Sequence, residues 1–213
     1  MMKIDFFSQH KIDNPIVYGC MGLGGGWNSH AITKQDIQQA HEVVDCALSQ
    51  GIKVFDHADI YTFGKAEQCF GQVIKERPEL RDQILLQSKC GIRFEDELGP
   101  KRYDFSKEWI NKSVDGILTR LNIEHLPVLL LHRPDPLMDV IELGECLNSL
   151  QQSGKVGAFG VSNMSSTQMM LLQRELSLPL VVNQMEMSLS KLDWLDQGVL
   201  HNSSQQASRF KTH

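Results

Sequence analysis

Asp56, His57, Asp59 and Tyr61 crowd six positions at the end of an otherwise apolar run, KVFDHADIYTFG, from Lys53 to Gly64. Burial alone does not account for them, because each charge taken from water without a partner costs several kcal/mol or shifts its pKa. Lys89 ends a second apolar run, ILLQSK, and Asp56 is the acid placed to compensate its ammonium. By themselves these two read as a structural ion pair. Tyr61 adds a chemical role: a phenol titrates near 10, a nearby lysine cation is expected to lower that value, and proton donation becomes easier. His132, ending VLLLH, is of a type that orients a carbonyl oxygen or shares the proton. Asp56, Tyr61, Lys89 and His132 thus form a candidate proton-delivery group.

Three further residues sit at later strand ends: Ser162 and Asn163 in GVSN, and Gln184 in VNQ. Hydroxyls and amides suit the carboxamide of a nicotinamide ring, and they equally cap helices, as Ser165 or Ser166 is placed to do. The run MGLGGGWN, with Gly22 as its first glycine, admits close approach of a phosphate or backbone. It is no dinucleotide fingerprint, since Trp27 stands where Gly-x-Gly-x-x-Gly, counted from Gly22, needs its third glycine.

The elements that must position these groups alternate between short β-rich runs and amphipathic segments, the pattern of βαβ units on a parallel sheet. Strands are expected over 16–24, 53–59, 84–91, 127–132, 156–163 and 180–186. A helix from Thr33 to Gln50 opens on Thr33 and Asp36, close to a capping box, and stops at Gly51. Trp109, Ile110, Val114, Ile117 and Leu121 make a second apolar stripe, and Val140, Leu143, Leu147 and Leu150 a third. Polar residues from many successive strand ends favour a (β/α)8 barrel over an open sheet, whose ligand contacts gather at one switch point.

The 213 residues are 41% hydrophobic and 22% charged, ordinary globular composition. With 21 basic against 26 acidic residues and no basic run, neither nucleic acid nor an anionic membrane is an expected partner. No stretch has the length of a membrane span and the N-terminus lacks a signal peptide's apolar core, so a cytoplasmic protein is expected. Five scattered cysteines, with no Cys-x-x-Cys pair, suggest neither disulfides nor a structural metal.

The motifs FDHADIY, SKCG, LLLHRPDP, GKVGAFGVSN and VNQMEMSL, in that order, resemble those of the aldo-keto reductases, in particular a bacterial oxidoreductase subgroup. The resemblance extends from about Lys3 to about Leu200. It implies the (β/α)8 barrel and NADPH-dependent reduction of aldehydes or ketones to alcohols. By position it implies Tyr61 as general acid, Lys89 and Asp56 as the groups that tune it, and His132 as the group orienting a small carbonyl substrate. It further implies Ser162, Asn163 and Gln184 as holders of the nicotinamide. His57 departs from the Thr that many members carry.

Only about six βα units are legible, so residues 1–200 are expected to form an incomplete barrel and 201–213, HNSSQQASRFKTH, a disordered polar tail. Members of the family continue through two more units, which hold the cofactor's 2′-phosphate and pyrophosphate. A truncated barrel leaves open sheet edges, from which self-association is expected. Three rival readings remain. One is a non-catalytic regulatory or binding fragment of such a barrel. Another is a Schiff-base aldolase with Lys89 as nucleophile. A metal-dependent hydrolase built on His57, Asp59 and His132 has too few ligands, and no metal is expected.

Overall fold

The computed structural model describes residues 6–190 and 209–212. Strands β1 (Val17–Gly19), β2 (Val54–Asp56), β3 (Leu85–Cys90), β6 (Leu126–Leu131), β7 (Val156–Ser162), β8 (Leu180–Met185) and β9 (Arg209–Thr212) form one sheet. They neighbour one another in that order, and every pairing is parallel. Between them run α2 (Lys34–Ser49), α3 (Lys65–Glu76), α4 (Lys107–Leu121), α5 (Val140–Gln152) and α6 (Ser166–Glu175). The result is a curled, incomplete (β/α)8 barrel containing the six expected βα strands.

Alternation along the strands divides the core in two, as a period of two requires. Phe55, Leu86, Leu129, Leu131, Phe159 and Val161 pack outward with the helix stripes. Val54, Leu85, Val128, Leu130, Ala158 and Val182 face inward and pack with Phe7 and Ile12. Phe7 comes from the short helix α1 (Phe6–Gln9). The N-terminal segment therefore supplies apolar packing for the barrel interior, which the six strands alone would leave uncovered.

Local chemistry sets the helix ends. Thr33 and Asp36 make both bonds of a capping box, Ser165 and Gln168 repeat it on α6, and Ser106 and Asp139 cap α4 and α5. Gly71 lets α3 and α4 touch: a Cβ there would lie 2.0 Å from the Arg120 carbonyl oxygen.

Two expectations are corrected, and one further element appears. The first strand is shorter than 16–24, because Cys20–Gly22 turn into a 3-10 helix. The segment after β3 holds an unforeseen antiparallel hairpin, β4 (Ile92–Arg93) with β5 (Arg102–Tyr103), too short and charged to carry an alternating pattern. The tail was expected to be without order over 201–213, yet residues 209–212 form β9 beside β8. Backbone groups on the edge of β8 offer hydrogen bonds whatever the pairing side chains are. Residues 201–208 and 213 of that tail lie outside the described residues. No helix of the described residues is long and apolar enough to cross a membrane.

Candidate active site

The inward positions of β3 are Leu85, Gln87 and Lys89, apolar at the base and polar toward the C-terminal end. β2 ends on Asp56, and the two strands pair in parallel, so the acid and the lysine meet inside the barrel mouth. Lys89 is 1% exposed and Asp56 2%. Lys89 Nζ donates to both Asp56 carboxylate oxygens at 2.8 Å and to the His57 carbonyl at 2.8 Å. Gln87 Nε2 donates to Asp56 Oδ1, and Gln184 Nε2, from β8, to Oδ2 at 3.1 Å.

Burial pushes the Asp56 carboxyl up, but the Lys89 ammonium and the two amide donors, Gln87 and Gln184, outweigh it and hold it below the usual carboxylate range. Burial likewise pulls Lys89 down, while Asp56 and the Tyr61 oxygen pull it up, and the net direction is upward. Both groups are therefore held in their charged forms.

Tyr61 begins the 3-10 turn Tyr61–Gly64 that follows β2. Lys89 Nζ lies 4.8 Å from the centroid of its ring. The sequence expectation of a lowered phenol pKa is corrected: burial raises it, Lys89 offsets only part of the rise, and Tyr61 stands above its ordinary value. Desolvation of the phenolate outweighs one cation that is already shared with a carboxylate. His132, just past β6, sets its ring edge-on to Tyr61 with centroids 5.9 Å apart. Its backbone N–H donates to the Cys90 carbonyl at 2.9 Å, which fixes it beside β3.

The structure thus brings Asp56, Lys89, Tyr61, His132 and Gln184 together. Ser162 ends β7 in register with Gln184 on β8, and Asn163 Nδ2 donates to Ser162 Oγ at 2.9 Å. Asn163 is left-handed, with φ 56°, and its Oδ1 accepts from the Glu186 N–H at 3.3 Å. Gln184 Oε1 is buried without a hydrogen-bond partner, an acceptor that a carboxamide N–H would satisfy. Gly22 closes the turn after β1, and nothing lies within 4 Å of where its Cβ would be.

Gln87 was missed, although a polar residue two positions before Lys89 on a strand buried on both faces carries the signal. His57 packs away from this cluster: it is fully buried, edge-on to Phe70 at 4.7 Å, with neither ring nitrogen hydrogen-bonded. Burial lowers its pKa to about 3, with Lys89 adding to the shift and Asp56 opposing it. Asp59 is raised to about 7, first by burial and then by Glu67, against Arg120 and Ser113. Among the described residues no group of three or more His, Cys, Asp or Glu gathers as a metal site.

The sequence matches the family model described as Aldo/keto reductase family over residues 15–201. It is 40% identical to 6-dehydroglucose reductase of Agrobacterium fabrum over 191 residues, 87% of this chain and 62% of that protein. Oxidoreductase YdhF of Escherichia coli is 40% identical over 166 residues, 76% of this chain and 53% of that one. Among solved structures, the glycerol dehydrogenase of Gluconobacter oxydans superposes with a TM-score of 0.80 at 26% identity, over 94% of this chain and 60% of that one. The chain therefore spans about three fifths or less of the length of these relatives. A match over most of its residues, with the motif residues assembled in one barrel mouth, makes this chain a member of the aldo/keto reductase family.

Proposed function

We propose that the barrel mouth reduces a small aldehyde or ketone to an alcohol with NADP as cofactor. The observation that carries this reading is the buried Lys89 ammonium, fixed by Asp56 at 2.8 Å and set 4.8 Å from the centroid of the Tyr61 ring. The reduced nicotinamide, when bound, supplies a hydride to the carbonyl carbon. Tyr61 supplies the proton to the oxygen. Its raised pKa keeps the phenol protonated at neutral pH, ready to donate, and Lys89 stabilises the phenolate left behind until water reprotonates it. His132, edge-on to Tyr61, is placed to orient the carbonyl oxygen. The unpartnered Gln184 Oε1, with Ser162 and Asn163, would hold the carboxamide so that one ring face meets the substrate.

The aldolase reading fits less well. A Schiff-base lysine must present a neutral amine, whereas Lys89 donates to three oxygens and is held in its charged form.

Titration with NADPH, followed by nicotinamide fluorescence, tests binding, and NADPH oxidation by short aldehydes tests turnover. Saturable binding is expected in the parent and in Tyr61→Phe, with turnover falling at least about 100-fold in the variant. Turnover equal in the two proteins removes Tyr61 as the acid. Borohydride trapping of a carbonyl substrate on Lys89 would replace reduction with the aldolase reading.

A further inference from the structure

The turn that carries Tyr61 has an unfavourable backbone. Thr62 (φ 49°, ψ 39°), Phe63 (φ 60°, ψ 38°) and Gly64 (φ 83°, ψ −5°) are left-handed in succession. Single glycines adopt this conformation readily, but a β-branched and an aromatic residue side by side do so only when their surroundings impose it. Two of the restraints are local to the mouth. Thr62 Oγ1 donates to the Leu23 carbonyl at 2.9 Å, and the Phe63 ring contacts Trp27 and Phe94, with centroids 5.6 and 5.1 Å away.

The third restraint comes from behind the barrel. The Arg120 side chain, from the last turn of α4, lies so close to Gly64 that a Cβ there would stand 2.9 Å from its Cδ. Arg120 Nε donates at 2.7 Å to Glu67 Oε2, on the first turn of α3. Glu67 is fully buried, and its other oxygen accepts from Ser88 Oγ. Ser88 directly precedes Lys89 on β3. One buried carboxylate thus links the guanidinium against the Tyr61 turn to the strand that presents the lysine. Helices α3 and α4 already pack through apolar residues such as Phe70, Val73, Val114 and Ile117. A buried ion pair is a costly way to add adhesion, and its known use is to fix geometry.

We propose that Arg120 and Glu67 are positioning residues whose ion pair, tied through Ser88 to the Lys89 strand, holds the left-handed turn so that Tyr61 stays against Lys89. The inference rests on the reading of Tyr61 as proton donor, but its geometric half is independent of any turnover.

The test uses the full chain with 13Cζ-labelled tyrosine. There are three tyrosines, so Tyr61→Phe assigns the Tyr61 resonance. The variants are Glu67→Gln with Arg120→Met, which removes both charges together and leaves neither unpaired, and the milder Ser88→Ala, which spares the ion pair. Far-ultraviolet circular dichroism and a cooperative melt establish that each is folded. In the double variant the Tyr61 resonance and its titration midpoint are expected to move while the Tyr18 and Tyr103 resonances stay in place, with Ser88→Ala moving Tyr61 the same way by less. Turnover of a short aldehyde should fall about 10- to 100-fold in kcat with KM for NADPH within about twofold, the size expected for a reacting group displaced by about 1 Å. In a Tyr61→Phe background the same substitutions should cause no further loss. An unmoved Tyr61 resonance in every folded variant overturns the proposal, as does an equal loss in the Tyr61→Phe background. If the parent has no reductase activity, the proposed reaction fails, and the Tyr61 resonance still decides the positioning.

Discussion

Replacing His57 with leucine should change how stability depends on pH while the fold persists. His57 is fully buried beside Phe70 with both nitrogens unpaired, and its pKa falls from 6.5 to about 3. The folded state therefore binds fewer protons than the unfolded chain below the ordinary histidine value. Its stability contribution is complete above 6.5 and is lost as pH falls toward the folded value near 3. Between about pH 7.5 and about pH 5, this one group should cost about 2 kcal/mol. Asp59 works in the opposite sense. Raised from 3.8 to about 7, it holds its proton more tightly when folded, so stability falls as pH rises through that window. On acidification over the same interval Asp59 should return about 2.5 kcal/mol, nearly cancelling the histidine in the parent. The informative quantity is a difference between proteins. Urea unfolding followed by tryptophan fluorescence should show His57→Leu gaining about 2 kcal/mol on the parent as pH drops from about 7.5 to about 5. Asp59→Asn should lose ground by a similar amount over the same range. A His57→Leu difference constant to within about 0.5 kcal/mol across that range would refute the claim that the buried imidazole stays neutral.

Four other outcomes follow from the packing. Gly71→Ala forces a methyl against the Arg120 carbonyl, 2.0 Å away, and should cost about 2 kcal/mol or more in urea unfolding as α3 and α4 separate. Phe7→Ala empties the interior behind Val54, Leu85 and Val128 and should cost about 3–5 kcal/mol, read as a lower Tm. Lys89→Met leaves the Asp56 carboxylate buried without its counter-ion, and should destabilise by about 3–5 kcal/mol near neutrality with partial recovery on acidification as Asp56 takes up a proton. β1 and β9 stand at the two edges of the sheet, and analytical ultracentrifugation should show concentration-dependent association; a single monomer boundary at all concentrations would count against pairing through those edges.

The sequence by itself determined the succession of elements and the membership of the polar cluster. Apolar runs and stripes report their own periodicity, so β2, β3, β6, β7 and β8 and the helices α2, α4 and α5, with the serine start of α6, were legible from neighbours a few positions apart. Asp56, Lys89, Tyr61 and His132 were legible because ionisable groups are conspicuous at the ends of apolar strands. Phe7 as interior packing, Gln87 on Asp56, the pairing of β9 with β8 and the Arg120–Glu67–Ser88 link were decided only by tertiary structure. So was the direction of the Tyr61 shift, which sequence spacing had set the wrong way. Local hydrogen bonding and side-chain period act within a few residues. Proton affinity is a balance between lost water and charges brought in from strands 30 or more positions away, as Lys89 is brought to Asp56, and that balance exists only once the chain has folded.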